Sequence, residues 1–163
     1  MNGKRQKLDD LFIETIEQNK TAMFRLAYSI VLNREDAEDV VSESILKAFS
    51  NLSELKNSRK MKACLFQIIA NESKTCLRKR KRVELTEDFS DFPMEKYVPE
   101  SSFDLLEFVY HLPDGFKEVI LLYYFESFRV KEIAKILAVS EGTVKSRLSR
   151  ARQELKKALE DAQ

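Results

Sequence analysis

The segment from Val130 to Lys157, VKEIAKILAVSEGTVKSRLSRARQELKK, concentrates cationic side chains on one predicted helix. Apolar residues recur at helical spacing on both sides of a short turn near Ser140. Opposite the apolar stripe of the second helix stand basic and hydroxyl side chains, which suit the phosphates and base edges of DNA. The pattern therefore predicts a helix-turn-helix whose second helix enters the major groove. The candidate DNA-contacting face and its flanks comprise Lys145, Arg147, Ser149, Arg150, Arg152 and Lys156.

Two residues at the start of that second helix strengthen the prediction. Ser140 is placed to act as its N-cap, because a serine hydroxyl accepts from a backbone N–H two or three residues later. Gly142 falls in the first turn, where a missing side chain lets backbone N–H groups approach a phosphate. The alternative is an amphipathic hairpin whose charges only face solvent. The short turn, the cap and the basic helix together favour DNA binding.

Composition excludes several other classes of protein. The 163 residues include only three glycines and three prolines, and the single histidine, His111, lies beside Leu112-Pro113, where we expect a surface or capping role. No Cys/His metal spacing, glycine-rich phosphate loop or nucleophile motif occurs, so we expect no enzyme and no cofactor. No apolar run could span a bilayer, and no signal-peptide core is present, which predicts a cytoplasmic protein. Cys64 and Cys76 are too far apart on one helix for a disulfide.

Helical periodicity divides the chain into two lobes. We predict an all-α fold in which residues 8–82 form the first small helical domain and residues 103–160 form the second. Between them, residues 83–102 contain two prolines and many acids without a helical period, which indicates an acidic flexible linker. The formal net charge of only +1 hides this segregation of charge along the chain.

An acidic face is predicted on the second helix of the first lobe. Asp36, Asp39 and Glu43 follow one another at i, i+3 and i+7, opposite an apolar side. Such a face suits a basic partner. The alternative is a solvated surface, supported by the helix dipole and by a Glu43–Lys47 pair at i, i+4.

A polar loop and the helix after it form a second candidate surface. The helix is predicted from about Met61 to Arg82, ending in a run of five basic residues. Loop and helix together could line a groove for a nucleic-acid strand, with cations on phosphates and amide or hydroxyl groups on bases. The alternative is a cationic helix end that matches the helix dipole. The residues are Asn57, Ser58, Arg59, Lys60, Lys62, Asn71, Lys74 and Arg78.

The chain resembles the small, two-domain extracytoplasmic-function (ECF) sigma factors of bacterial RNA polymerase. EDAEDVVSESILKAF resembles the family's polymerase-clamp helix, and LFQIIANESKTCLRKRKR resembles its promoter-melting helix. LPDGFKEVILLYYFESFRVKEIAKILAVSEGTVKSRLSRARQELK resembles its C-terminal DNA-binding region. Ala138 stands where the family usually has the glycine of the turn. The turn is therefore expected to form only if this alanine either avoids the left-handed backbone conformation or tolerates it.

The resemblance implies a division of labour. Asp36, Glu38, Asp39 and Glu43 would contact the beta-prime coiled coil of core polymerase, and the second domain would meet the beta flap. The loop and third helix named above would capture the minus-10 element. The implied minus-35 contacts are Ser140, Glu141, Gly142, Thr143, Lys145, Ser146, Arg147, Ser149, Arg150 and Arg152. An anti-sigma partner is also implied.

A conventional helix-turn-helix regulator remains the alternative function. It would share residues 130–157 but would bind duplex DNA without polymerase, commonly as a dimer on a palindrome.

Overall fold

The structure, a computed structural model, describes residues 2–54, 58–86 and 105–162, and these divide into two compact units, 1–92 and 93–163. The first contains α1 (Asn2–Val31), α2 (Arg34–Ser50), a 3-10 turn (Leu52–Glu54) and α3 (Ser58–Thr86). The second contains α4 (Leu105–Tyr110), α5 (Phe116–Ile120) with a π-helical continuation (Leu121–Phe125), α6 (Val130–Leu137) and α7 (Glu141–Asp161). No strand occurs in the described ranges, so the predicted all-α fold is confirmed.

The core of the first unit lies between three helices that all pack on one another. α1 buries Met23, Leu26 and Ala27 against the buried Leu65 and Phe66 of α3. α2 packs through a narrow stripe of small side chains, which lets it approach closely. That stripe consists of Ala37, Val40, Ser44 and Ala48, whereas the Val41 and Ile45 of the sequence pattern are half-buried.

The third helix starts earlier and ends later than its sequence pattern predicted. Ser58, Arg59 and Lys60 lie in its first turn rather than in a loop, and it continues to Thr86 beyond the basic run. The earlier start is consistent with Arg59 and Lys60, because both residue types are good helix formers. Asn57 and most of the expected linker lie outside the described residues.

The second unit is built around the apolar stripe of α7. Val144, Leu148 and Ala151 of that stripe are buried, as are Ile133, Ala134, Ile136 and Leu137 of α6. α5 and the residues that continue it supply Val119, Ile120, Leu121 and Leu122. This packing fixes which face of α7 points outward. None of the helices in the described ranges is long and apolar enough to cross a membrane.

Candidate protein and nucleic-acid interfaces

The turn before α7 has the geometry of a capped helix-turn-helix. The Ser140 hydroxyl accepts from the Thr143 backbone N–H at 3.1 Å, which confirms the predicted N-cap. Ala138 adopts the left-handed conformation with φ 56° and ψ 46°, so this alanine accepts the strain that glycine would avoid. A side chain at Gly142 would meet only Ser140 Oγ at 3.8 Å, so the backbone of this turn is open to a ligand.

Packing sorts the predicted contacts of α7 into an outward face and two flanks. Glu141, Lys145, Ser146, Ser149 and Arg150 are exposed, and they lie on the side opposite or beside the buried stripe. Thr143 is half-buried, and its hydroxyl hydrogen-bonds with Ser140 Oγ at 2.8 Å.

Gln153 belongs to the same outward face, because it follows Ser146 by seven residues and Ser149 by four. It is exposed, and its amide is a group that pairs with adenine in a major groove. Gln153 was not among the predicted minus-35 contacts, which ended at Arg152.

Arg152 contacts the protein itself. Its Nε donates to the Tyr124 hydroxyl, and its guanidinium carbon lies 5.8 Å and 5.5 Å from the ring centroids of Tyr123 and Tyr124. Tyr124 is 51% exposed. Arg152 is therefore a cation on an aromatic pair, which restricts its reach towards DNA.

On the other flank, Arg147 lies against the turn that precedes α5. A Cβ atom placed on Gly115 would be 3.2 Å from the Arg147 guanidinium carbon and 3.3 Å from its Nε and Nη1. Gly115 has φ 89°, a backbone conformation that side-chain-bearing residues rarely adopt. The guanidinium therefore occupies the space that any side chain at this position would take.

The same turn is supported by two charged residues inside the unit. Lys117 is 2% exposed, and its Nζ lies 3.1 Å from Asp114 Oδ1, which extends into solvent. Glu118 is 7% exposed, and burial raises the pKa of its carboxyl. Its Oε2 has no hydrogen-bond partner.

In the first unit, the four predicted acids of α2 are not equivalent. Asp36 forms an ion pair with Arg80 of α3, whose Nη1 also donates to the Val31 carbonyl at 2.9 Å. Asp36 is thus half-buried and occupied within the fold. Glu38 is exposed and pairs with Arg34 one turn earlier.

Of the four predicted acids, Asp39 and Glu43 are exposed and form no ion pair with any residue that the structure describes. Lys47 does not pair with Glu43 as the spacing indicated. Its ammonium instead donates to Glu72 of α3 at 2.5 Å, because helix packing places that carboxylate closer.

The solvent-facing side of α2 continues from these acids into apolar side chains. Leu46 follows Glu43 by three residues and is 64% exposed, and Phe49 is 53% exposed. The Phe49 ring lies 5.8 Å from that of Phe12 in α1, where the neighbouring Ile13 is also exposed. Exposed large apolar groups beside free carboxylates indicate a protein-binding surface. The sequence prediction of this face named only its acids, because the exposure of an apolar side chain depends on which helices cover it.

α3 carries most of its predicted nucleic-acid contacts along one line. Lys60, Asn71 and Arg78 are exposed, and Lys74 is half-buried among them. The half-exposed Gln67 lies on the same line between Lys60 and Asn71 and was not predicted. Lys62 lies on the packed side instead, with its ammonium 5.8 Å from the Phe66 ring centroid. The side chains of Ser58 and Arg59 are outside what the structure describes.

Comparisons with known proteins agree with this architecture. The family model for sigma-70 region 2 matches residues 15–83, and that for sigma-70 region 4 matches residues 102–155. The chain is 34% identical to RNA polymerase sigma factor SigV of Bacillus subtilis, over 91% of this chain and 90% of SigV. It is 30% identical to ECF RNA polymerase sigma factor SigW of the same species, over 93% and 90% of the two chains.

Solved structures show the same helical arrangement. The sigma factor RpoE of Bartonella quintana, in complex with the anti-sigma factor NepR, matches with a TM-score of 0.77 at 26% identity, over 98% of both chains. CnrH, in complex with the cytosolic domain of CnrY, matches with a TM-score of 0.64 at 25% identity, over 93% of this chain and 89% of CnrH.

Two helical units, one with an acidic helix and one with a helix-turn-helix, define a sigma-70-type transcription factor. The chain belongs to the ECF group of RNA polymerase sigma factors. It directs core RNA polymerase to specific promoters for the initiation of transcription, and the stand-alone regulator is set aside.

Proposed function

We propose that the exposed face of α2 is the surface with which this sigma factor binds core polymerase. Asp39 and Glu43 supply its charge, and Leu46 and Phe49 supply its apolar part. The observation that carries this proposal is that the two acids lack an ion pair among the described residues and adjoin two exposed apolar side chains. Asp36 contributes to the fold through Arg80, and Glu38 lies at the edge of the surface.

The partner best suited to this face is a helix with basic residues beside apolar ones, as expected for the beta-prime coiled coil. Basic groups would meet the carboxylates, which favours encounter and register. Apolar groups would cover Leu46 and Phe49, which supplies affinity through buried area.

The outward face of α7 is proposed to read the minus-35 element. Lys145 and Arg150 would contact phosphates or guanines, whereas Ser146 and Ser149 would approach base edges. The open first turn at Gly142 would bring backbone N–H groups to a phosphate. The line from Lys60 to Arg78 on α3 is proposed to bind the minus-10 strand, with Asn71 available to a base.

A groove of about 440 Å³ in the second unit is proposed as the contact for the beta flap. Its lining is mainly apolar, with Leu105, Tyr124 and Leu159 among the lining residues and Arg152 and Lys156 contributing charge.

The domain boundaries at 8–82 and 103–160 also remain proposals. Catalysis is assigned to polymerase, and the chain acts as a specificity subunit in the cytoplasm, restrained by an anti-sigma factor.

Charge reversal at the two free acids tests the polymerase surface. Asp39→Lys with Glu43→Lys should abolish co-elution of the chain with bacterial core polymerase on size exclusion, because like charges then face the basic partner. Reversing Glu154 and Asp161 of α7, both exposed and outside the groove lining, changes the net charge equally and should leave co-elution intact. Equal loss in both double variants would contradict a localised α2 surface.

A further inference from the structure

We propose that Gly115 is a positioning residue for promoter binding. Because Gly115 has no side chain, the Arg147 guanidinium can lie beside the turn, and from that position it contacts a DNA phosphate. This inference rests on the proposed role of α7 in binding the minus-35 element. Gly115 lies in the turn before α5, outside α7, and the proposed DNA contact of Arg147 is a phosphate and not a base.

The turn before α5 is fixed by two independent bonds. The Phe116 backbone N–H donates to the Pro113 carbonyl at 3.1 Å, which closes a four-residue turn with Gly115 in its third position. The buried Lys117 also pairs with Asp114, with its Nζ 3.1 Å from Asp114 Oδ1. A turn anchored in this way cannot readily move aside for a new side chain.

Arg147 meets this turn through three atoms of its guanidinium. Cζ, Nε and Nη1 all lie 3.2–3.3 Å from the position that a Cβ of residue 115 would take. Such distances are shorter than ordinary van der Waals contacts. Since the backbone of the turn is anchored and the arginine end is flexible, an added Cβ would displace the guanidinium.

The position of Arg147 on α7 decides which part of DNA it can contact. It is half-buried, and it lies three residues after the buried Val144 and one before the buried Leu148. This places it on a flank, away from the outward line of Ser146, Ser149 and Gln153. In a helix seated in the major groove the outward face meets base edges, whereas the flanks run beside the sugar-phosphate backbone.

The acids nearest in sequence to Gly115 leave the charge of Arg147 available. Asp114 is paired with Lys117, and Glu118 is buried. Among the described residues, neither forms an ion pair with Arg147.

The test uses holoenzyme assembled from the full chain and core polymerase. The probe is a duplex carrying the minus-35 element that the unchanged holoenzyme selects from a randomised pool, with affinity measured across a salt series. Gly115→Asn adds a Cβ while retaining a residue that tolerates positive φ. Ser127→Asn is the matched control, because Ser127 is exposed and also left-handed with φ 58°. Thermal unfolding of each variant checks that it is folded.

Gly115→Asn and Arg147→Ala should each weaken binding by roughly three- to tenfold. Each should also lower the salt slope by about 1, as loss of one phosphate contact does. The combined variant should match Arg147→Ala alone, and Ser127→Asn should bind as the unchanged chain does.

If Gly115→Asn weakened DNA binding equally in the unchanged chain and in the Arg147→Ala background, the inference would be wrong. It would also be wrong if Gly115→Asn left the affinity and the salt slope unchanged. Arg150→Ala distinguishes failure of the inference about Gly115 and Arg147 from failure of the proposed role of α7. If it weakens binding while Arg147→Ala does not, only the inference fails; if neither has an effect, the proposed role of α7 fails too.

Discussion

Glu118 is a buried residue whose carboxyl group has one oxygen without a hydrogen-bond partner. Its Oε2 has no hydrogen-bond partner, and burial is the largest cause of the raised pKa. The folded state therefore retains the proton at a higher pH than the unfolded chain, whose carboxyl has an ordinary pKa near 4.5. Stability contributed by this group is present below that ordinary pKa and falls as pH rises through the folded pKa.

Glu118→Gln should remove this loss, because an amide of nearly the same size carries no charge at any pH. The melting temperature of the variant minus that of the unchanged chain should therefore increase as pH rises from about 4.5 to 8. Glu154→Gln, at an exposed position, is the matched control and should leave the melting temperature nearly unchanged. A constant difference for Glu118→Gln would mean that the buried carboxyl does not titrate differently on folding.

Residue roles show where sequence reasoning ends. Spacing correctly assigned Ser140 to a helix cap, because capping depends on neighbours three residues apart. Spacing could not show that Asp36 meets Arg80 44 residues later, or that Arg152 meets Tyr124 28 residues earlier. Those contacts exist only after helices pack, so charge and periodicity alone counted both residues as available to a partner.

At the scale of secondary-structure elements, Arg80 joins all three long helices of the first unit. From α3 it binds the Val31 carbonyl at the end of α1 and the Asp36 carboxylate in the first turn of α2. Leu32, between those helices, has φ 53°, so the connection includes a strained backbone. Arg80 therefore stabilises the junction that sets the direction of α2 and of its exposed acids.

Arg80→Ala should destabilise the chain by about 1–2 kcal/mol, because it leaves a half-buried carboxylate and a carbonyl without their donor. Chemical denaturation followed by circular dichroism measures this loss. Lys81→Ala, next in the same basic run but exposed, should change stability by less than about 0.5 kcal/mol. A similar loss in both variants would indicate that the basic run stabilises α3 as a whole and that the junction contributes little.

Helix type and packing face were more predictable than helix ends. The apolar period marked α2, α6 and α7, because burial selects side chains at fixed angular intervals. It missed the first turn of α3, because Ser58, Arg59 and Lys60 carry no apolar signal, although arginine and lysine favour helix through their unbranched side chains. It also could not distinguish the exposed Leu46 and Phe49 from core residues, since that depends on which elements cover the helix.

At the scale of the whole molecule, a net charge of +1 conceals two opposite surfaces. Exposed carboxylates lie on α2 in the first unit, whereas exposed lysine and arginine lie on α7 in the second. Segregated charge of this kind suits the proposed roles, in which α2 binds a basic protein surface and the cationic faces of α3 and α7 bind anionic DNA. The total charge, which seemed to argue against DNA, is therefore uninformative about either activity.

This segregation predicts that assembly and promoter choice are lost separately. In run-off transcription by reconstituted holoenzyme from a pool of templates with a randomised minus-35 element, Asp39→Lys with Glu43→Lys should reduce transcripts from every template, because assembly precedes selection. Arg150→Ala should retain assembly but broaden the set of templates used, since losing a base-edge contact costs about 1–3 kcal/mol at one position. Lys4→Ala, exposed on α1, serves as a charge-removal control and should alter neither result. If Arg150→Ala instead lowered all transcripts in proportion, Arg150 would be a phosphate contact, and base preference would have to come from Ser146, Ser149 and Gln153.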